Sequence, residues 1–361
     1  MATWRRQDKV TASIKDVAKQ AGVSPGTVSN VFSGNRAVRP DLVARVRKAA
    51  EDLGYQPDRA ASQLRAGKAR VVAALVPDLN NPFFTGLIAS IEASLRDDGM
   101  DIIVASSNGD PFEEQARLSA LLAWRPAGLV AVPCTDDFAC RDLIARASVP
   151  CVVADRVPNL FDGDAVTVDN IDAGRKAAEH LVGLGHRDIV VAASTLKLKN
   201  IRERCEGIEQ VYASRGLAKP TLIEVGLDFE TASDRLAGFM EGDQQPTAFL
   251  ALTNFGTLGV LASLQKWGLS VPRDISVLGF DDYSWMRAVV PPLTAIRQPV
   301  EEMGREIWSR LRARIGGSTE PGFRLKLSCE LVVRASTAQL AARAPRAARG
   351  DPSGRRLPAQ D

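Results

Sequence analysis

Short apolar runs alternate with longer amphipathic segments over most of this chain, from Val71 to Gly279. Runs such as Val71–Val76 and Cys151–Ala154 have the length and composition of buried strands, whereas Ile201–Ser214 repeats apolar residues at helical spacing. Strands that alternate with helices form parallel, doubly wound sheets. A second series of such units begins near Ala165. We therefore predict two α/β lobes with a ligand cleft between them, at the carboxyl ends of their strands.

A predicted helix-turn-helix precedes the lobes, over residues 14–32. Apolar residues recur at helical spacing up to Ala21, and Gly22 stands where helices commonly end. The hydroxyl of Ser24 is suited to cap a second helix, and Pro25 suits a first helical position, which needs no amide hydrogen. This second helix is predicted to bury Val28, Val31 and Phe32 and to turn outward Pro25, Gly26, Thr27, Ser29 and Asn30. A short helix with small polar residues near its start fits a DNA major groove.

Basic charge is concentrated at the amino-terminal end. Residues 1–70 contain 14 Lys and Arg against 6 Asp and Glu, whereas residues 71–337 contain 27 against 35. A basic module followed by an acidic body indicates contacts with phosphates and salt-sensitive binding. Without the helix-turn-helix, the same charges would indicate only a solvated helical face.

Other features of the composition narrow the class of protein. The chain is 45% hydrophobic, with no run long enough for a membrane span and no apolar stretch in Met1–Val10 that suggests a secretory signal. Its five dispersed cysteines indicate reduced thiols in the cytoplasm, and no spacing indicates a metal site. We find no phosphate loop, nucleophile elbow or HExxH motif. A cytoplasmic protein that is not an enzyme and needs no cofactor or metal is predicted.

The predicted domain organisation has five parts. A flexible leader (1–11) precedes the helix-turn-helix domain (12–57), whose third helix runs from about Pro40 to Leu53, and a hinge helix or linker (58–68) follows. The two-lobed core spans 69–337, with lobe 1 at about 70–167 plus 299–327 and lobe 2 at about 168–298 plus 328–337. Residues 338–361 are rich in Ala, Arg, Pro and Gly and are predicted to be a disordered tail.

Several motifs in one order strongly resemble the LacI/GalR family of bacterial transcription regulators. The resemblance covers roughly residues 12–337, and its motifs are specific together, although each alone is weak. They are Ile14–Ala18, Val23–Asn30, Gly54–Pro57, Asn81–Phe84, Asp155–Arg156, His180–Arg187, Arg204–Gly207, Val271–Asp282 and Pro291–Thr294.

The resemblance implies a mechanism and partners. A homodimer would bind a palindromic operator in double-stranded DNA, with the second helix of each headpiece in the major groove and a hinge helix in the minor groove. A small molecule between the lobes, often a sugar or a purine in this family, would change the angle between them and so order or release the hinges. A sugar, a sugar acid and a sugar phosphate all suit Asp and Arg side chains in the cleft.

The family's DNA contacts are carried over residue by residue. The base-reading positions fall on Pro25, Gly26 and Asn30, with Arg36 as a further candidate. Asn30 can pair with adenine, whereas Pro25 can read bases only by shape or else simply starts the helix. Ser24 and Thr27 correspond to phosphate contacts. In the hinge, Ala61 corresponds to a small residue near the sugar walls and Leu64 to a wedge in a base step; the alternative for Leu64 is a contact between two hinge helices.

The family's effector contacts fall on residues from both lobes. They are Phe83, Phe84, Asp155, Arg204, Asn254 and Asp281. Asn254 is a departure, because many members have Asn-Asp where this chain has Thr253-Asn254. Trp285 and Phe229 are further candidates for the cleft wall, Asp282 is expected to be structural, and His186 to be a cap or turn residue.

Several alternatives stay open at this stage. A repressor is the leading interpretation, but an activator and a regulator that needs a corepressor have the same sequence features. A periplasmic solute-binding protein shares the two-lobed core, although the helix-turn-helix argues against it. A dimer is favoured over a tetramer, because the tail lacks the leucine heptads of a zipper.

Overall fold

Two compact units make up the structure, a computed structural model, and they divide between Val71 and Val72. The structure describes residues 12–33, 36–56, 70–158, 161–242 and 246–340. The predicted leader and hinge, including Ala61 and Leu64, lie outside the described residues, as does the tail from residue 341.

Three helices form the first unit: α1 (Ile14–Ala21), α2 (Pro25–Ser33) and α3 (Pro40–Asp52). At the start of α1, the Ser13 hydroxyl and the Asp16 carboxylate each accept a hydrogen bond from the other's backbone N–H, which forms a capping box. Gly22 ends α1 in the left-handed conformation with φ +63°, as its position predicted. The predicted cap of α2 is also confirmed, because Ser24 Oγ accepts a hydrogen bond from Thr27 N at 3.2 Å.

The core of this unit is small and lies where the three helices meet. Val17, Val28 and Val46 are fully buried there. The prediction that Phe32 is buried is wrong: its side chain is 37% exposed, and its ring packs on Tyr55 with 5.9 Å between ring centres. Val31, which was also predicted to be buried, is half-buried against this core. A unit of three short helices has little interior in which to enclose both side chains.

The second unit alternates strands and helices, as predicted. Its elements are β1 (Val71–Val76), α4 (Pro82–Arg96), β2 (Asp101–Ser106), α5 (Pro111–Ala123), β3 (Gly128–Ala131), α6 (Arg141–Ala147), β4 (Cys151–Ala154), β5 (Asp164–Val168), α7 (Asn170–Gly183), β6 (Ile189–Ala193), α8 (Lys199–Ser214), β7 (Thr221–Glu224), α9 (Phe229–Met240), β8 (Ala248–Ala251), α10 (Asn254–Lys266), β9 (Ser276–Phe280), α11 (Ser284–Ala288), β10 (Thr294–Arg297), α12 (Val300–Ile315), β11 (Arg324–Leu327) and β12 (Glu330–Val332).

Two six-stranded sheets divide this unit into two lobes. Lobe 1 contains the sheet with the order β11-β5-β4-β3-β1-β2, and lobe 2 the sheet with the order β12-β10-β9-β8-β6-β7. The described neighbours pair in parallel, except that β12 runs antiparallel to β10. The chain passes between the lobes after β5, before α12 and after β11. The central strands β3, β5, β6, β8 and β9 are buried on both faces, which explains their continuous apolar runs.

The structure corrects three details of the predicted organisation. The strand near Ala165 does not open the second series, because β5 pairs with β4 and β11 in the first sheet; this agrees with the predicted extent of lobe 1 to about residue 167. Several helices begin two to four residues before their predicted starts, since a polar cap and a proline carry no apolar periodicity; α4, for example, is capped by Asn81 and begins at Pro82. Conversely, α6 begins at Arg141, whereas its predicted start was Phe138.

The start of the predicted disordered tail is ordered. Ala338 N donates to Ser276 Oγ at 3.1 Å, and Leu340 N donates to the Leu184 carbonyl at 2.8 Å. His186 also contacts this segment, since its Nε2 lies 3.1 Å from the Ala338 carbonyl oxygen. Composition missed this order because backbone hydrogen bonds do not depend on side-chain type. Among the described helices, none has the length and apolarity needed to cross a membrane.

Candidate ligand-binding cleft and nucleic-acid interface

The exposed face of α2 carries most of the predicted DNA contacts. Ser24, Pro25 and Gly26 are exposed at its start, and Thr27, Ser29 and Asn30 are half-buried along it, while Val28 faces the core. Ser24 Oγ and Thr27 Oγ1 lie 3.0 Å apart, so one hydroxyl donates to the other. Arg36 is exposed beyond the end of α2. These residues are thus at least partly accessible to solvent, and their contacts with DNA stay a prediction.

A cavity opens between the two lobes and is lined by residues from the ends of several strands. Five of the six predicted effector contacts lie in its wall, namely Phe83, Phe84, Asp155, Arg204 and Asp281. The other lining residues are Asn81, Arg156, Ser194, Leu198, Asn200, Ile201, Leu227, Thr253, Phe255 and Gln298. The cavity volume is about 50 Å³, which is room for a few water molecules.

Arg204 extends from α8 and is held rigidly at the cavity. Its Nε donates to Asn170 Oδ1 at 2.9 Å, and its Nη1 donates to the Leu252 carbonyl at 2.6 Å. The guanidinium carbon lies 4.0 Å from the centre of the Phe280 ring, an arrangement that favours a cation over an aromatic face. Because these contacts fix the guanidinium plane, the side chain loses little conformational freedom when it binds a ligand.

The two cavity carboxylates follow strands and share an uncommon backbone conformation. Asp155 comes directly after β4 with φ +60°, and Asp281 directly after β9 with φ +82°. Residues other than glycine seldom adopt positive φ, and such strained positions concentrate at functional sites. Asp155 Oδ2 accepts from Asn200 Nδ2 at 3.3 Å and lies 3.4 Å from Arg156 Nε. Asp281 Oδ1 accepts from Gln298 Nε2 at 2.5 Å.

The neighbouring carboxylates of Asp281 and Asp282 have opposite pKa shifts. Burial raises the pKa of Asp281, and the charge of Arg204 and the hydrogen bond from Gln298 offset this only in part. Burial also disfavours the Asp282 carboxylate, but its bonds to Arg334 and Arg297 outweigh burial and lower its pKa. Asp282 Oδ2 accepts from Arg297 Nη2, and Oδ1 is paired with Arg334 Nη1, each at 2.6 Å. The prediction that Asp282 is structural is therefore confirmed.

Three other predicted or candidate residues do not reach the cavity wall. Asn254 is the first residue of α10 and is buried, and its Oδ1 accepts a hydrogen bond from Trp285 Nε1 at 3.2 Å. Its flanking residues Thr253 and Phe255 line the cavity, but Trp285 and Phe229 do not. The role of Asn254 as an effector contact stays a prediction. His186 accords with its expected turn role, because its Nδ1 lies 3.0 Å from Thr247 Oγ1.

The sequence reasoning missed several polar residues that line the cavity, and three of them contact its carboxylates or aromatic rings. Arg156 stands next to Asp155, and its guanidinium carbon lies 5.6 Å from the centre of the Phe84 ring. Asn200 and Gln298 each hydrogen-bond one of the two cavity carboxylates. Arg156 could have been predicted from its position next to Asp155 at the end of a strand, because neighbouring residues at a strand end often line the same site. Asn200 and Gln298 have no local signal, because only the fold brings them to Asp155 and Asp281.

Two family models match the chain. Residues 13–58 match the model described as bacterial regulatory proteins, lacI family, and residues 178–337 match a periplasmic binding protein-like domain. Among curated proteins, the HTH-type transcriptional regulator PtxS of Pseudomonas plecoglossicida is 30% identical over 334 residues, which cover 92% of this chain and 97% of the relative. The ribose operon repressor of Escherichia coli K12 is 31% identical over 329 residues, with 90% and 99% covered.

Solved structures with the same architecture include complexes with DNA and with sugars. The lac repressor dimer bound to operator and an anti-inducer superposes with a TM-score of 0.80 at 26% identity, over 91% of this chain and 99% of that one. A LacI family regulator from Enterococcus faecium with bound ribose has a TM-score of 0.68 at 25% identity, over 75% and 100%. The regulator CelR in complex with cellobiose has a TM-score of 0.68 at 28% identity, over 90% and 99%.

Proposed function

We propose, because the chain belongs to the LacI family of bacterial regulatory proteins, that it represses transcription as a homodimer on a palindromic operator and that a sugar or sugar derivative controls its affinity for that operator. As a member of this family it is a DNA-binding transcriptional regulator. Its relatives include ribose operon repressors, and the lac repressor binds its operator as a dimer. These properties of the relatives support repression and dimerisation here.

One observation carries the choice of ligand class. Two carboxylates, a fixed guanidinium and two phenylalanine rings line a single cavity, to which both lobes contribute. Carboxylates accept paired hydrogen bonds from neighbouring hydroxyls, the guanidinium grips a ring oxygen or an acid group, and aromatic rings cover an apolar sugar face. This combination suits a sugar, a sugar acid or a sugar phosphate. The ribose and cellobiose bound to two related structures belong to the same class.

The position of the cavity supports a link between ligand binding and lobe movement. Its wall contains Phe83, Phe84 and Asp155 from lobe 1 and Arg204 and Asp281 from lobe 2, so a bound ligand contacts both lobes and its affinity depends on the angle between them. A ligand that binds one lobe angle better than another shifts the population toward that angle. We propose that this shift is passed to the DNA-binding unit through the segment 58–68, which lies outside the described residues.

A thermal-shift screen tests the ligand class directly. The purified protein is melted in the presence of sugars, sugar acids, sugar phosphates and nucleobases, since a ligand of the native state raises the melting temperature by mass action. A hit among the sugars or their derivatives that also lowers operator affinity supports the proposal. A hit that raises operator affinity indicates a corepressor instead, and a hit confined to nucleobases contradicts the sugar class.

Arg204→Gln should strongly weaken the binding of that ligand and so the change in operator affinity that the ligand causes. The change removes the charge that faces the cavity, and we expect ligand affinity to fall at least about tenfold because a charge-assisted hydrogen bond is lost. Operator affinity without ligand should stay within a few-fold. Isothermal titration calorimetry measures the first and a gel-shift titration the second. Arg215→Gln, at the exposed far end of α8, is the matched control. A normal response in Arg204→Gln would remove this residue from the site.

Asn30→Ala tests the proposed interface with DNA. A bidentate contact to a base contributes about 1–3 kcal/mol of discrimination, so we expect binding to the operator to weaken about tenfold to a hundredfold and non-specific binding to stay unchanged. The operator is first obtained by selecting bound duplexes from a random pool. Gln20→Ala on α1, whose amide donates to Asp52 at 3.4 Å, is the control and should leave both affinities unaltered. Equal losses on both DNAs would show that Asn30 reads no base.

A further inference from the structure

A second cavity, of about 140 Å³, lies beside the ligand-binding cleft and is lined mainly by cationic and polar side chains. Arg156, Lys199, Arg324 and Lys326 all line it. We propose that this groove, which we call the cationic groove, binds the phosphate group of a phosphate monoester. The site is separate from the sugar site proposed above, and nothing in the argument for it depends on the identity of that sugar.

The sheet register explains how two of the cations come together. Strand β11 pairs in parallel with β5, so that Arg324 lies opposite Ala165 and Lys326 opposite Thr167. Alternate residues of a strand point to the same face, and all four of these residues line the groove. The intervening Leu325 packs against the core instead. The edge of the lobe 1 sheet therefore presents a small, two-strand platform with two positive charges.

Lobe 2 supplies the opposite wall. Lys199 is the first residue of α8, and its backbone N–H is already used, since it donates to Asp136 Oδ1 at 3.1 Å. Its side chain joins those of Arg324 and Lys326 in the lining. A bound anion would thus contact both lobes at once.

The positive charges of the groove exceed the negative ones. Two carboxylates also line it: Asp155 is paired with Arg156 at 3.4 Å, and Glu203 Oε2 accepts from Asn170 Nδ2 at 3.5 Å. Within the described part of the chain, Lys199, Arg324 and Lys326 have no carboxylate at ion-pair distance. Arg324 donates one hydrogen bond to the Phe161 carbonyl. Four cations and two anions leave an excess of two positive charges, which a dianion would neutralise.

A phosphate monoester fits this excess better than a carboxylate does. It carries nearly two negative charges at neutral pH and three acceptor oxygens, enough for two lysines and an arginine at the same time. Lysine binds phosphate as a point charge, and arginine can offer two parallel N–H groups.

The cationic groove and the ligand-binding cleft share a wall. Asp155, Arg156 and Asn200 line both cavities. An anion that attracts Arg156 would weaken its pairing with Asp155, and one that bridges Lys199 and Lys326 would favour a particular lobe angle. Phosphate in the groove should therefore change the affinity of the cleft for its ligand, and the reverse change must be equal in free energy.

Calorimetric titration with inorganic phosphate, at constant ionic strength set by chloride, tests the proposal on the full-length protein. The wild type should bind one phosphate per chain with a saturable isotherm. The double variant Lys199→Gln/Lys326→Gln should bind at least tenfold more weakly, whereas Lys197→Gln/Lys266→Gln, which removes two exposed lysines outside the groove, should bind normally. Equal affinities in the two double variants, or no saturable binding by the wild type, would overturn the proposal.

Two further variants keep the result interpretable. Lys199→Arg/Lys326→Arg preserves both charges and should therefore retain phosphate binding. The melting temperatures of both double variants are measured as well, because a misfolded variant would melt at a lower temperature than the wild type. Arg204→Gln lies in the cleft and not in the groove lining. If Arg204→Gln loses phosphate while Lys199→Gln/Lys326→Gln keeps it, the anion binds in the cleft and the cationic groove is not its site.

Discussion

Gly207→Ala is expected to destabilise the two-lobed unit by about 3 kcal/mol or more. A Cβ atom on Gly207 would lie 1.9 Å from the Ile171 carbonyl oxygen, and one on Gly174 would lie 2.0 Å from the Arg204 carbonyl oxygen. The two glycines thus let α7 and α8 touch backbone to backbone. Overpacking a core usually costs about 1–3 kcal/mol because side chains move aside. Here the obstacle is backbone, which cannot rotate away, so the helices must separate.

Urea denaturation followed by circular dichroism measures this effect. Gly174→Ala should be destabilised to a similar extent. Gly183→Ala is the control, since it lies on the same α7 helix but a Cβ there meets no atom within 4 Å; we expect it to be neutral or up to about 1 kcal/mol more stable. A free energy of unfolding for Gly207→Ala within about 0.5 kcal/mol of the wild type would contradict the close crossing. Because Arg204 lies on α8 at this contact, the surviving folded protein should also bind ligand more weakly.

Neutralising the adjacent residues Asp281 and Asp282 is expected to change stability in opposite directions. Asp282→Asn removes the charge that pairs with Arg297 and Arg334, and breaking a buried ion pair costs about 3–5 kcal/mol. Arg297 is 43% exposed and keeps Glu330 as a partner, so we expect a loss at or below the lower end of that range. Asp281→Asn should instead raise the melting temperature at neutral pH, because burial disfavours the Asp281 charge and the asparagine oxygen still accepts the bond from Gln298. Differential scanning calorimetry at pH 7 compares the two variants with the wild type.

The pH dependence of these differences has a defined sign. The pKa of Asp282 is below its unfolded value of 3.8, so its stabilising contribution is present above that pH and is lost as the pH falls through the folded pKa. The pKa of Asp281 is above 3.8, so its charge costs stability once the pH exceeds the folded pKa, and this cost vanishes as the pH falls toward 3.8. The Asp281→Asn difference from the wild type should therefore shrink between pH 7 and pH 4, whereas the Asp282→Asn difference should persist to pH 4 and shrink only below pH 3.8.

The two variants should also differ in ligand binding, and here the more stable variant, Asp281→Asn, should be the impaired one. Asp281→Asn, although more stable, should lose most of its response to the ligand, because its carboxylate lies in the cavity wall. Asp282→Asn should keep that response in whatever fraction remains folded, since Asp282 contacts arginines outside that wall. A stable Asp281→Asn variant with normal ligand affinity would show that the raised pKa reflects burial alone and serves no binding role.

The local pattern of the sequence predicted most of the strands closely. Val71–Val76 and Cys151–Ala154, for example, have the same bounds in the structure as in the prediction. Strands buried in a parallel sheet are continuous apolar runs, so their ends coincide with the first polar or turn residue. Helix starts were less accurate, because the capping residue and the first turn are exposed and lack apolar periodicity; α10, for instance, begins at Asn254 after the Thr253 cap.

The residues of the cleft were predicted from the resemblance to a family and not from the local sequence pattern. Asp155, Arg204 and Asp281 were inferred from the resemblance to a family, whose motifs stand at fixed places in the chain, and the structure brings all three to one cavity. Asn200 and Gln298 were missed because nothing in their neighbourhood indicates a site. They reach the cavity only because α8 and the segment after β10 lie against the ends of β4 and β9.

By itself, the sequence determined the alternation of strands and helices, the caps of the first two helices and the concentration of basic charge before residue 71. These features depend on side chains and their near neighbours in the chain. Only the tertiary structure decided that β5 lies between β4 and β11 in the first sheet, that Asp281 and Asp282 have opposite pKa shifts, and that Lys199 and Lys326 line one groove. The reason is physical: strand order, burial and charge pairing depend on atoms that are distant in sequence, and no local pattern records which of them will be neighbours.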